Sequence, residues 1–150
     1  MSRVRAAAVV AAALIGATAV LQVALAAGAP WGDHAYGGSA STADGVLPLA
    51  FRVASAAAAV VLVLAALVVL ARARVVRVPL LGVRLVRWGT WAIVGVLVLN
   101  TCGNFASDSP FERWVMGPTT LALAALCGIV ALRSAAPEAP RHATARREAP

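Results

Sequence analysis

Two histidines, two cysteines and six acids are the side chains of this sequence that could ligate, attack or carry protons. Their spacing argues against several chemistries. His34 and His142 stand outside every long apolar run, whereas membrane haem sites need histidines projecting from helices, so a b-type cytochrome does not fit. Cys102 and Cys127 form no C-x-x-C pair, which removes the reactive dithiol of four-helix thiol oxidoreductases; both read as packing residues. No acid falls inside an apolar run, so the intramembrane carboxylate of small proton-coupled exporters is missing. Asp33-His34 offers a carboxylate beside an imidazole, but two adjacent loop residues chelate poorly without help from Asp44, Asp108 or Glu112. No metal site and no cofactor is expected. A nucleophile–base pair or carboxylate dyad is not recognisable either, which argues against an enzyme.

What remains is a set of polar residues at matched depth. Counted inward from the outer ends of the apolar runs, Gln22, Arg52, Asn100 and the pair Thr119-Thr120 each lie one to two turns in, on four different runs. Brought together with Asn104, Glu112 and Arg113, and lidded by Trp31, His34, Tyr36, Phe105 and Trp114, they would make a pocket for a small molecule or lipid headgroup. The competing reading is mechanical. The amides and threonines would bond across helices to fix packing, and Arg52 would pair with Asp108 or Glu112 to tie the loops.

The elements that must position these residues are the apolar runs themselves. Of 150 residues, 61% are hydrophobic and only 13% charged, the balance of an integral membrane protein rather than a soluble domain. Four runs, at about 6–29, 49–71, 85–103 and 114–132, are each long enough to cross a bilayer as a helix. The first follows Arg3 and Arg5 and contains Ala24-Leu25-Ala26, which also fits a cleavable signal peptide. Its length exceeds a signal core, so it is expected to remain as a helix. Ala8, Ala12 and Gly16, and likewise Thr120, Ala124 and Gly128, recur every fourth residue and predict flat faces for close helix approach. Between the first two runs, PWGDHAYGGSASTADGVLP is turn chemistry throughout, with Trp31 and Tyr36 suited to headgroup level. Residues 135–150, rich in proline and charge, predict a disordered tail.

Charge supplies an orientation. RARVVRVPLLGVRLVR, Arg72 to Arg87, holds five arginines between the second and third runs. Placing both termini on the cytoplasmic side puts eleven of the thirteen arginines inside, leaving only Arg52 and Arg113 outside. The expectation is an all-α bundle of four transmembrane helices, two antiparallel hairpins with both termini cytoplasmic, in a bacterial plasma membrane. The absence of lysine and abundance of alanine point to a GC-rich genome. The net charge of +7 lacks a basic-aromatic surface module, so anionic lipid headgroups are a better partner than nucleic acid. A second copy of the chain or another membrane protein is the other expected partner.

Gly28-Ala29-Pro30-Trp31-Gly32, then Tyr36-Gly37-Gly38 and GVLPLAFR from Gly45 to Arg52, form one pattern. Asn100, Asn104, Ser107, Ser109, Pro110, Glu112, Arg113 and Trp114 form a second. Together they resemble a group of small four-helix integral membrane proteins, mainly actinobacterial and uncharacterised, with a GAPWG...GG outer loop. That resemblance covers roughly residues 20–60 and 95–130. It implies a four-helix membrane protein with its distinctive residues on the outer face, and it carries no activity across. The leading expectation is a structural role, or the binding of a lipid, small ligand or partner at the outer face. A subunit of an oligomeric transporter is the alternative, and a lipid-modifying enzyme comes third.

Overall fold

The computed structural model describes residues 2–38 and 42–134; the tail at 135–150 lies outside the described residues. Four α-helices account for most of them: α1 Arg3–Ala27, α2 Leu49–Arg72, α3 Val83–Ala106 and α4 Gly117–Arg133, the last preceded by a π-helical segment, Glu112–Met116. Each of the four, with the π segment counted into the last, is long and apolar enough to span a membrane. Among the described residues there is no β-strand.

The helices run up and down in ring order. The pairs α1/α2 and α3/α4 pack as antiparallel hairpins, α1 closes against α4 and α2 against α3. One end of the bundle therefore gathers residues 28–38, 42–48 and 107–109 and is called here the loop end. The other gathers the start of α1, the arginine-rich connection 73–82 and the close of α4, and is the basic end.

Local signals set the helix ends. Ser2 caps α1 by accepting from the Arg5 N–H at 3.4 Å. The helix stops at Gly28, whose φ of 97° lets its N–H reach Leu25 O and the next N–H, of Ala29, reach Ala24 O. That paired reversal leaves few orphan carbonyls. The same closure ends α2, with Arg74 N–H on Ala71 O and Val75 N–H on Leu70 O, but here the left-handed residue is Arg74, φ 56°. A Cβ in that conformation costs about 1 kcal/mol that glycine would avoid. In the first turn of α4, Pro118 can give no backbone hydrogen bond, and the wider π turn lies just upstream at Glu112–Met116.

The packed seam differs from the small-residue faces read in the sequence. On α1 the buried residues include Ala8, Ala11, Ile15 and Ala19, while Gly16 is exposed and has no neighbour within 4 Å of where a Cβ would stand. On α4 Ala124, Cys127 and Ala131 are buried, and a Cβ on Gly128 would also meet nothing. The buried positions step by three, four and four on α1 and by three and four on α4, a mixture closer to heptad packing than to the strict fours of a GxxxG-type crossing. The larger core side chains, Ile15, Val69, Leu123 and Val130, fill the volume between the alanines. Outside the core, apolar residues such as Val60, Leu99 and Leu121 are more than half exposed, as lipid-facing residues are.

The two cysteines are free; Cys102 is exposed on α3 and Cys127 is buried on α4. Hydroxyls within the helices are satisfied locally. Thr18, Thr90, Thr101, Thr119 and Thr120 each donate to the carbonyl four residues back, so they need no partner on another helix.

Candidate functional site

The loop end is a folded cap built from short local devices. Single 3-10 turns at Gly32–His34 and Tyr36–Gly38 shape its first half, and Gly32 N–H donates to Gly45 O at 2.8 Å to close the loop on itself. Gly45 has φ 76°, and a Cβ there would stand 3.1 Å from Pro30 O, so both conformation and space call for glycine. The Thr42 hydroxyl donates to Asp44 Oδ1 and reaches Val46 O, while Leu47 anchors the return strand of chain in the interior. That hydroxyl, then the Val46 N–H, holds the Asp44 carboxyl below its ordinary 3.8.

Tyr36 reaches inward from this cap. Its backbone is left-handed, φ 53°, its ring lies 4.9 Å from that of Phe51, and its hydroxyl meets the buried Ser55 Oγ at 2.9 Å. The Tyr36–Ser55 bond fastens the loop onto α2.

Glu112 joins the two loops. Its Oε2 accepts from the Gly37 N–H at 3.1 Å and from the Ser107 hydroxyl at 2.5 Å. Ser109-Pro110-Phe111-Glu112 has the spacing of a helix capping box, and Ser109 Oγ does accept from the Glu112 N–H at 3.5 Å. The reciprocal half is rerouted: the Ser109 N–H goes to Ser107 Oγ, which leaves the Glu112 carboxylate for the neighbouring loop.

Arg52 serves the same end differently. Its Nε donates to Ala26 O at 3.0 Å, and the guanidinium carbon lies 3.4 Å from the Cβ position of Gly28. The arginine thus covers the C-terminal carbonyls of α1, where a positive charge is favoured by the helix dipole. The sequence had allowed Arg52 a carboxylate partner in Asp108 or Glu112. Glu112 is instead engaged with Gly37 and Ser107, and the Arg52 Nε goes to the backbone of α1.

The polar residues placed at matched depth do not form one cluster. Asn104 and Thr120 do meet, with the amide nitrogen donating to the hydroxyl oxygen at 3.3 Å. Gln22 is half-buried, with its Oε1 buried and unbonded, and Asn100 is exposed. Arg113 is half-buried with an unbonded Nε. Equal depth is a one-dimensional property; the facing of each helix decides whether residues converge.

What the loop end does enclose is apolar. Leu21 and Leu25 of α1, with Trp31, His34, Ala35 and Phe111, line a half-open hollow of about 260 Å³. The His34 and Phe111 rings, both lining it, stand 5.6 Å apart, tilted by 32°. Trp31 and His34, expected to lid a polar cluster, stand here among the residues of an apolar hollow. Phe111, Ser55, Ser107 and Ser109 were not legible as site residues, although the S-x-x-E spacing at Ser109 was available as a signal. Among the described residues, no three of His, Cys, Asp and Glu converge as metal ligands would. No protein-family model, no curated protein and no solved structure matches this chain.

Proposed function

We propose that this chain is a multi-pass membrane protein without catalytic machinery that holds a segment of lipid acyl chain at its loop end. The basic end faces the cytoplasm and the loop end faces outward. The observation that carries the reading is the hollow lined by Leu21, Leu25, Trp31, His34, Ala35 and Phe111. Its walls are apolar and it has little polar content with which to orient a hydrophilic ligand, which favours a hydrocarbon occupant. The arginine distribution supports the orientation, and the GAPWG loop supports kinship with small actinobacterial plasma-membrane proteins.

The test uses the full chain reconstituted with a phosphatidylglycerol carrying a diazirine on one acyl chain. Photolabelling is expected on α1 at Leu21 or Leu25 and on Phe111. It is expected to fall severalfold in Ala35→Trp, whose indole fills the hollow at an extended backbone position. Equal labelling of the two proteins at these sites overturns the reading.

A second reading, a subunit of a homo-oligomer involved in transport, is favoured by one residue. Asn100 exposes an amide on a helix otherwise suited to lipid, and an amide in hydrocarbon seeks a partner. Native mass spectrometry of the wild type and Asn100→Leu distinguishes it, since an oligomer held by that amide becomes monomeric in the variant.

A further inference from the structure

The basic end carries a second cavity, larger than the hollow and opposite to it in character. Arg5 from α1, Arg72 from the end of α2, and Arg74 and Arg77 from the connection surround a cleft of about 650 Å³, with Leu81 and Val86 among its apolar walls. No acidic side chain lines it among the described residues. Four arginines line this one cavity, and like charges gathered there repel one another unless an anion sits between them.

Arg5, Arg74 and Arg77 are exposed at the cleft, and Arg72 is the member held in place. Arg72 is half-buried; one of its terminal nitrogens donates to Ala131 O at 3.3 Å and to Ser134 O at 3.1 Å, and its Nε is buried with no partner. Those two carbonyls fix the guanidinium without neutralising it. Arg74 occupies the left-handed position that ends α2, where glycine would be relaxed, so an arginine stands among the residues lining the cleft at a conformational cost.

We infer that this cleft is a binding site for a phosphate group, that of an anionic phospholipid, with Arg74 and Arg77 gripping the phosphate and the apolar walls receiving the glycerol and first acyl carbons. Guanidinium groups match phosphate oxygens in paired hydrogen bonds. Basic pockets between transmembrane helices are a recurrent setting for anionic headgroups. A soluble phosphate ester would use the same arginines, but the apolar walls would give it nothing. The site is separate from the hollow at the loop end and does not depend on it.

The experiment measures binding by native mass spectrometry, and unfolding midpoints, for the full chain in mild detergent. It is titrated with phosphatidylglycerol, with inorganic phosphate, and with diacylglycerol as the phosphate-free lipid. Phosphatidylglycerol is expected to bind and raise the midpoint, and diacylglycerol is expected to do neither. The test variant is Arg74→Gly with Arg77→Gln; the control, Arg84→Gln with Arg133→Gln, removes the same charge from the same end outside the cleft. The cleft variant is expected to lose about tenfold in affinity for each guanidinium removed, while the control stays within about twofold of the wild type. Because Arg74→Gly relieves the left-handed backbone, the cleft variant should also unfold at an equal or higher temperature without lipid, so lost binding is not lost folding. Inorganic phosphate competing with the lipid at equal strength would assign the site to a soluble phosphate; a preference for the lipid confirms the headgroup. Equal losses in both variants, or equal binding of diacylglycerol, overturn the inference.

Discussion

Arg52 Nε donates to the carbonyl oxygen of Ala26 at 3.0 Å, so an arginine at the start of one helix covers the end of the helix before it. Gly28 makes this possible twice over, by turning the chain left-handed at φ 97° and by leaving room for the guanidinium. Arg52→Ala is expected to lower stability by about 1.5–3 kcal/mol, the range for a hydrogen bond with a charged donor. Gly28→Ala should cost about 1 kcal/mol or more through backbone strain alone. Unfolding in detergent followed by circular dichroism measures both. An unchanged midpoint in Arg52→Ala would show that the contact contributes nothing.

Glu112 and Ser107 should behave as a coupled pair, since one carboxylate oxygen serves both Ser107 and Gly37. Glu112→Ala is expected to destabilise by about 1–3 kcal/mol and to make the loop between α1 and α2 more sensitive to protease. In a double-mutant cycle with Ser107→Ala, a coupling energy near zero would show that the two side chains do not interact, and unchanged proteolysis of the α1–α2 loop in Glu112→Ala would remove Glu112 as the link between the loops.

The Tyr36 hydroxyl has Ser55 Oγ as its nearer partner, at 2.9 Å, with Phe51 O farther off at 3.4 Å. Tyr36→Phe is expected to cost about 1 kcal/mol, and much less in a Ser55→Ala background. Hydrogen exchange at residues 32–38 should accelerate in the single variant. Identical effects in both backgrounds would contradict the pairing.

Asp44 gives the cap a dependence on acidity. Its folded carboxyl titrates below the ordinary 3.8 because the Thr42 hydroxyl and the Val46 N–H favour the anion. A depressed folded value means the contribution is present above the unfolded pKa and is lost as pH falls through the folded one. The turn at residues 42–46 is therefore expected to loosen only in strong acid, below the ordinary carboxylate range. Thr42→Ala should move the Asp44 titration upward toward 3.8, read by carboxyl chemical shifts; no movement would mean the hydroxyl does not set it.

Arg72 joins α2 to α4 across the diagonal of the bundle. Arg72→Gln is expected to free the carbonyls of Ala131 and Ser134 and to fray the last turn of α4. Amide exchange at residues 130–134 should accelerate severalfold while that of α1 stays unchanged. Acceleration throughout the bundle would instead mark Arg72 as necessary to the fold.

How far these features could be read beforehand depends on their dimensionality. The four apolar helices were legible because length and hydropathy run along the chain, and Pro79 and Gly82 interrupt them plainly. The facing of each helix was not. Ala8-Ala12-Gly16 looked like a seam, but heptad-like packing put Ala11 and Ile15 inside and left Gly16 outside. The same blindness to rotation grouped Asn100, which is exposed, with the half-buried Gln22 and Arg52. Arginine capping of another helix's carbonyls was also hidden, because a backbone partner leaves no mark in the sequence. The apolar hollow needed Phe111 to fold back over His34, a relation across two loops that neither loop's composition reports.

α2 bears an arginine at either extremity, and each grips the terminal turn of a different helix. Sliding of α1 or α4 along its own axis relative to α2 would have to break one of these grips, so a piston stroke is blocked for both. Among the described residues, no side-chain hydrogen bond joins α3 to α2, and Asn104–Thr120 is the single such tie of α3 to α4. Any longitudinal displacement in this molecule therefore falls to α3, and a spin-label pair spanning α2 and α3 should record a broader distance distribution than one spanning α1 and α2.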